Sequence, residues 1–215
     1  MHIPDSMLPA QVCAAGYGLT GLITWYSLRQ IDRQGNPGPQ IPKAALLSAA
    51  FFVGSAIAIP IFPFITIHFV LNGLLGVLLG YFAFPAILIG LFLQVLMMGH
   101  GGFTTIGVNA VMMGIPALLA HRVFQMRHLL KQPNSRLSVG GFAFLGGAIG
   151  FLLTLFIFVG LTITTIQSGF DTKLEQTAII TLMLAHLPLV LLESGFTAML
   201  AVFLQRVKPE LLTGI

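Results

Sequence analysis

A chain with few charges carries six histidines, and the one at position 2 has the most unusual chemistry available to it. The amine of Met1, the amide nitrogen of His2 and the His2 imidazole Nδ1 can close a five-membered and then a six-membered chelate ring on one metal ion. One in-plane position stays open. Displacing an amide proton for coordination takes a strongly Lewis-acidic late metal that accepts square-planar nitrogen, a preference of Ni(II) and Cu(II) that zinc and magnesium do not share. His68 can supply the fourth nitrogen. Asn72, four residues on, is expected one helical turn deeper on the same face as a donor or acceptor beside it.

A second constellation lies in Met98-Gly-His-Gly-Gly-Phe-Thr-Thr-Ile-Gly-Val-Asn109. Its glycines permit a tight turn, and His100, Thr104, Thr105 and Asn109 can hydrogen-bond to the N-terminal segment. His186 and Glu193 are seven residues apart and so share one helical face. Glu193, the deeper of the two, reads as a buried hydrogen-bonding acid and not as a ligand. His121 and His128 fall in a basic loop and read as solvated. The pairs Met97-Met98 and Met112-Met113 suggest soft-metal transit, although methionine more often fills gaps in a core.

Enzymatic signatures are missing. The sequence holds no phosphate loop, no H-E-x-x-H and no G-x-S-x-G, so no enzyme is expected. Gly16-Tyr-Gly-Leu-Thr-Gly21 matches G-x-G-x-x-G but lies in an apolar helix without the preceding strand, where glycines serve helix packing. Gly76 with Gly80, and Gly146 with Gly150, are small-xxx-small pairs of the same kind. The lone Cys13 excludes an internal disulfide and a cysteine-cluster metal site.

The elements that must position these side chains follow from composition. Of 215 residues 56% are hydrophobic and 7% charged, against roughly 25% charged in soluble domains, and the mean hydropathy is +0.96. This describes helices packed in lipid. The 10 basic residues form no stripe that would bind nucleic acid and are explained by positive-inside loops. Uncharged runs cover residues 6–28, 44–121, 137–170 and 176–192, and a span needs about 20 residues. The second run is flanked on both sides by basic segments, so an even number of crossings, read as four, separates them. Breaks are expected at Pro60 to Pro63, at Phe84-Pro85 and at Gly99 to Gly102.

The result is an all-α, polytopic membrane protein: one integral domain over 1–215 with seven transmembrane helices at about 10–28, 44–60, 66–82, 85–98, 103–121, 140–166 and 177–205. The N-terminus is outside and the C-terminus inside, with nine basic residues on the inner face and Lys173 alone on the outer. Residues 1–9 form the metal-binding segment, 10–205 the bundle and 206–215 a cytoplasmic tail. The shortest predicted span is the fourth. No cleavable signal is expected, since residues 1–9 lack a basic n-region. Ser6 is expected to cap a first helix that has Pro9 in its opening turn.

Met1-His2-Ile3-Pro4-Asp5, His68 with Asn72-Gly73, the block from Gly99 to Asn109, and Ala185-His-Leu-Pro-Leu with Glu193 resemble the nickel and cobalt substrate-binding (S) components of energy-coupling factor (ECF) transporters, the NikM/CbiM family. The resemblance spans nearly the whole chain. It implies that the N-terminal segment inserts into a seven-helix bundle and coordinates the metal through Met1, His2 and His68. It further implies import of Ni(II) or Co(II) as substrate, with no permanently bound cofactor. The partners it implies are a transmembrane coupling (T) component, cytoplasmic ATP-binding subunits and a small accessory membrane subunit, all at the inner (cytoplasmic) membrane. Ser6 departs from the glycine expected after Pro-Asp. Two alternatives stay open: a self-sufficient secondary metal transporter or channel, and an S component for an organic vitamin.

Overall fold

A computed structural model describes residues 2–35, 37–62, 65–165 and 172–213. Pro9 sets the start of α1 (Ala10–Arg33). No side chain caps that helix, and Ser6, expected to do so, sits in a turn with φ +70°. A single 3₁₀ turn leads into α2 (Ile41–Ala56).

The all-α expectation meets one exception. Residues 58–62 and 65–68, rich in isoleucine, pair as the antiparallel strands β1 (Ala58–Phe62) and β2 (Ile65–His68), with Ala58 opposite His68. Proline cannot continue α2, and pairing between the strands satisfies backbone groups that a broken helix would strand. An open strand pair has edge amides that hydrocarbon cannot satisfy, so it belongs at a water-facing end of the bundle.

After β2 come α3 (Asn72–Leu79) and α4 (Ala83–Met98), joined by a 3₁₀ turn over Gly80–Phe82. Next is α5 (Ile106–Gln125), which carries the site's threonine and asparagine at its start. Asn72 donates to the Met113 carbonyl at 3.0 Å and the Tyr81 ring meets His121 at 5.2 Å, so α3 runs alongside α5 in the same direction. Phe84 then packs where a Cβ on Gly114 would be, and Val95 approaches Gly101, so α4 runs back the other way. The chain therefore reverses at Gly80, whose φ of +59° suits glycine, and not at Phe84-Pro85 as expected. Pro85 falls in the first turn of α4, where its missing N–H costs nothing. The short member is thus α3, eight residues or about 12 Å at 1.5 Å per residue, and not the fourth helix.

The bundle closes with α6 (Arg136–Thr164), α7 (Thr172–Val207) and a terminal turn, α8 (Glu210–Thr213). The helices α1, α3, α4 and α6 all pack on α5, and α7 packs on α6. Close approach runs through the glycines: Gly16 of the apparent dinucleotide motif abuts Val108, whereas Gly18 and Gly21 face open space. Among the described residues four stretches are long and apolar enough to cross a membrane: Asn72–Met98, which contains the reversal, Ile106–Leu129, Arg136–Thr164 and Glu175–Val207. The chain is a multi-pass membrane protein. Its polarity is inverted accordingly, with Leu184, Leu191, Leu192, Met199 and Phe203 of α7 exposed while Asn72, Gln94, Asn109, His186 and Glu193 are buried.

Candidate metal centre

The N-terminal segment is tied into the bundle at two points. Ile3 is fully buried, and its N–H donates to Asn109 Oδ1 at 3.0 Å. Its carbonyl accepts from Asn109 Nδ2 at 3.0 Å and from Thr105 Oγ1 at 2.7 Å. Asp5 accepts from the N–H of Thr104 (2.9 Å), the Thr104 hydroxyl (2.5 Å) and the N–H of Phe103 (3.2 Å). Those bonds, the Thr104 hydroxyl foremost, hold its carboxyl below the usual carboxylate range. The amides it takes belong to the turn just ahead of α5, so the anion also lies near the positive end of that helix dipole. Gly102 permits the contact: a Cβ there would stand 2.0 Å from Asp5 Oδ1. Thr104, Thr105 and Asn109 thus all bond the segment.

Held this way, His2 enters a cavity of about 320 Å³ whose lining includes His68, His100 and His186. The rings of His68 and His100 are 5.7 Å apart at 72°. The His186 Nδ1 donates to the Leu182 carbonyl at 2.7 Å, and its buried Nε2 has no partner among the described residues. Burial, with the neighbouring His100 and His68, holds the His2 imidazole well below the ordinary histidine value and keeps it neutral, the form that coordinates metals. Met1 lies outside the described residues. Among those described, no three His, Cys, Asp or Glu side chains are gathered to hold a metal by themselves, so a site here must draw on further donors.

Asn72, expected beside His68, stands elsewhere, whereas Glu193 is the buried hydrogen-bonding acid expected of it. Asn72 does not share a helical face with His68, because His68 ends β2 and the helix begins only at Asn72. Its amide instead donates to the Met113 carbonyl, the Gly150 carbonyl (3.1 Å) and Thr154 Oγ1 (2.6 Å), joining α3 to α5 and α6. Glu193 does not line the cavity. Its two oxygens accept from the N–H groups of Val70 (2.6 Å) and Leu71 (2.7 Å), which steadies the backbone just after His68 where Leu71 takes φ +52°. His121, expected in solvent, is buried in α5 against Tyr81. Met112 and Met113 are fully buried core residues, whereas Met97 and Met98 are exposed, so the pairs form no common path.

Sequence reasoning missed Gln94 and Ser55. The Gln94 Oε1 lies 2.5 Å from His2 Nε2, and its Nε2 donates to Ser55 Oγ. The rule that singled out Asn109, a polar group inside an apolar span, applies equally to Gln94.

The family described as the cobalt uptake substrate-specific transmembrane region (CbiM) matches residues 2–211. The chain is 32% identical over 219 residues to a protein of Haemophilus influenzae named for metal transport, covering 99% of this chain and 97% of that one. It is 37% identical over 116 residues to the fused nickel transport protein NikMN of Rhodobacter capsulatus, covering 54% of this chain and 33% of that protein. Its fold is similar to that of a crystallised truncated transition metal transporter, with a TM-score of 0.75 at 23% identity over 96% of this chain and 99% of the other.

Proposed function

The chain belongs to the CbiM family of cobalt and nickel uptake membrane components, and on that premise we propose that it captures Ni(II) or Co(II) outside the cell and delivers it inward as the substrate-specific component of an ATP-driven ECF-type transporter. In this reading the helices α1 to α7 make seven crossings, with the N-terminus outside and the C-terminus inside at the inner membrane. The metal is held by the Met1 amine, the amide and Nδ1 of His2, and His68. Asn109, Thr105, Thr104 and Asp5 press the segment into place, and His100 and His186 complete the polar wall. A transmembrane coupling component, cytoplasmic ATP-binding subunits and a small accessory subunit supply energy and motion.

The observation that carries this reading is the paired clamp on Ile3 and Asp5, which delivers a neutral His2 to a cavity shared with three more histidines. A backbone clamp on residue 3 has little purpose unless the residues before it must be positioned. The experiment is a titration of purified, natively started protein with Ni(II) and Co(II), followed by uptake in proteoliposomes. Binding by the chain alone is expected, with concentrative uptake only when ATPase and coupling subunits are co-reconstituted. Uptake against a gradient without them would refute the ATP-driven reading in favour of a secondary transporter.

A further inference from the structure

Beside His2 runs a chain of hydrogen bonds whose direction is set at its far end. The carbonyl of Phe51 in α2 can only accept, and Ser55 Oγ lies 2.5 Å from it. The single hydroxyl proton of Ser55 is committed there, so toward Gln94 its oxygen offers only lone pairs. The Gln94 amide must therefore turn its NH₂ to Ser55 and its oxygen to His2. An amide oxygen cannot donate. At 2.5 Å from it, the neutral His2 ring must carry its proton on Nε2, which leaves Nδ1 with a free lone pair.

The frame around this relay is tightly built. Gln94 and Ser55 are buried at 1% and 3% exposure, and Ser48 of α2 donates to the Ala86 carbonyl of α4 at 2.7 Å. A Cβ on Gly90 would stand 2.4 Å from the Phe51 ring, so α2 and α4 are packed in contact beside the relay. The backbone carbonyl of Gln94 also accepts from the N–H of His100 at 3.3 Å, so one residue anchors two walls of the cavity.

We propose that Gln94, oriented by Ser55, is a positioning residue for metal capture that fixes both the tautomer and the ring orientation of His2 so that Nδ1 is presented to the incoming ion. The proposal rests on the function proposed above, because Nδ1 is the nitrogen that closes a six-membered chelate ring with the His2 amide. A metal-bound histidine commonly donates its other ring N–H to a fixed acceptor, and losing that acceptor costs about 10- to 100-fold in affinity. Here that acceptor is Gln94 Oε1, 2.5 Å from His2 Nε2.

The test uses the full-length chain with its native start in detergent or nanodiscs, with ¹⁵N/¹³C-labelled histidine and Ni(II) as the probe. The His2 signals are assigned by their loss in His2→Ala. In the metal-free wild type the His2 ring is expected to show the Nε2–H form with a slowly exchanging proton. Gln94→Leu should give a rapidly exchanging ring proton and an Ni(II) affinity about 10- to 100-fold weaker. Gln94→Glu keeps an acceptor and should retain both the Nε2–H signal and an affinity above that of Gln94→Leu. Ser55→Ala, which frees the amide to turn over, should speed exchange of the same ring proton and serves if Gln94→Leu does not fold. An Nδ1–H ring in the wild type would overturn the proposal, as would equal weakening by Leu and Glu at position 94. If the wild-type chain binds neither Ni(II) nor Co(II), the proposed function fails, while the ring signals still decide whether Gln94 sets the tautomer.

Discussion

Asn109→Ala should loosen the N-terminal segment by an amount that its bonds allow to be worked out. Among the described residues the Ile3 carbonyl has two donors, Asn109 and Thr105, but the Ile3 N–H has only Asn109 Oδ1. After the substitution Thr105 still serves the carbonyl, and the N–H is left buried with no acceptor. Stranding that donor costs about 1–3 kcal/mol and losing the second bond about 0.5–1.5 kcal/mol. The sum, about 1.5–4.5 kcal/mol, weakens docking roughly 12- to 1,600-fold at about 1.4 kcal/mol per decade. Thr105→Val removes one of the two donors to the carbonyl and the long 3.4 Å contact from Asn109 Nδ2, but leaves Asn109 bonded to both the N–H and the carbonyl of Ile3, so about 0.5–1.5 kcal/mol, or roughly 2- to 12-fold, is expected. Amide hydrogen exchange at Ile3, followed in the N-terminal peptide, reads the docking equilibrium directly. Ni(II) affinity should fall only once the docked population drops well below one, since apparent affinity scales with the competent fraction. Exchange no faster in Asn109→Ala than in Thr105→Val would refute the account of the clamp.

Adding one residue ahead of Met1 converts the amine to an amide and shifts His2 to position three; Ni(II) titration should show a larger loss than any substitution outside the ligands, and a C-terminal tag should be harmless. His2 is neutral when docked because its pKa lies well below 6.5, whereas a released segment takes up a proton near that value, so docking is full above about pH 6.5 and weakens as the pH falls below it. Exchange at Ile3 measured between pH 7 and 5 should show that acid sensitivity, and His2→Gln should abolish it. Gly102→Ala places a methyl against Asp5 and should displace the segment, seen as faster exchange across residues 3–5 while the bundle's thermal transition stays within a few degrees. Single cysteines near residues 35 and 131 should be labelled only from the cytoplasmic side; labelling from outside would sink the seven-crossing orientation.

The membrane character of the chain and the address of its chemistry were legible in the sequence for a common reason: both are local. A run of uncharged residues partitions into lipid wherever its neighbours end up, and a glycine-rich turn carrying His100 ahead of Thr104, Thr105 and Asn109 brings its own geometry to the start of α5. The N-terminal motif is likewise a property of consecutive atoms. Other features were decided only by packing. The break near residue 84 moved back to Gly80 because Pro85 is harmless in a first helical turn, and that choice depends on Tyr81 meeting His121 some forty residues on. Asn72 left His68 because β2 ends where a helix was expected to continue. Its amide then found acceptors on α5 and α6. Leu71 holds a left-handed backbone because Glu193, distant in sequence, takes its N–H, and Gln94 faces His2 oxygen-first because Ser55 on another helix has already spent its proton. Which way a buried polar group points is set by whichever partner the assembled bundle leaves within reach, and that partner is not written in the residues beside it.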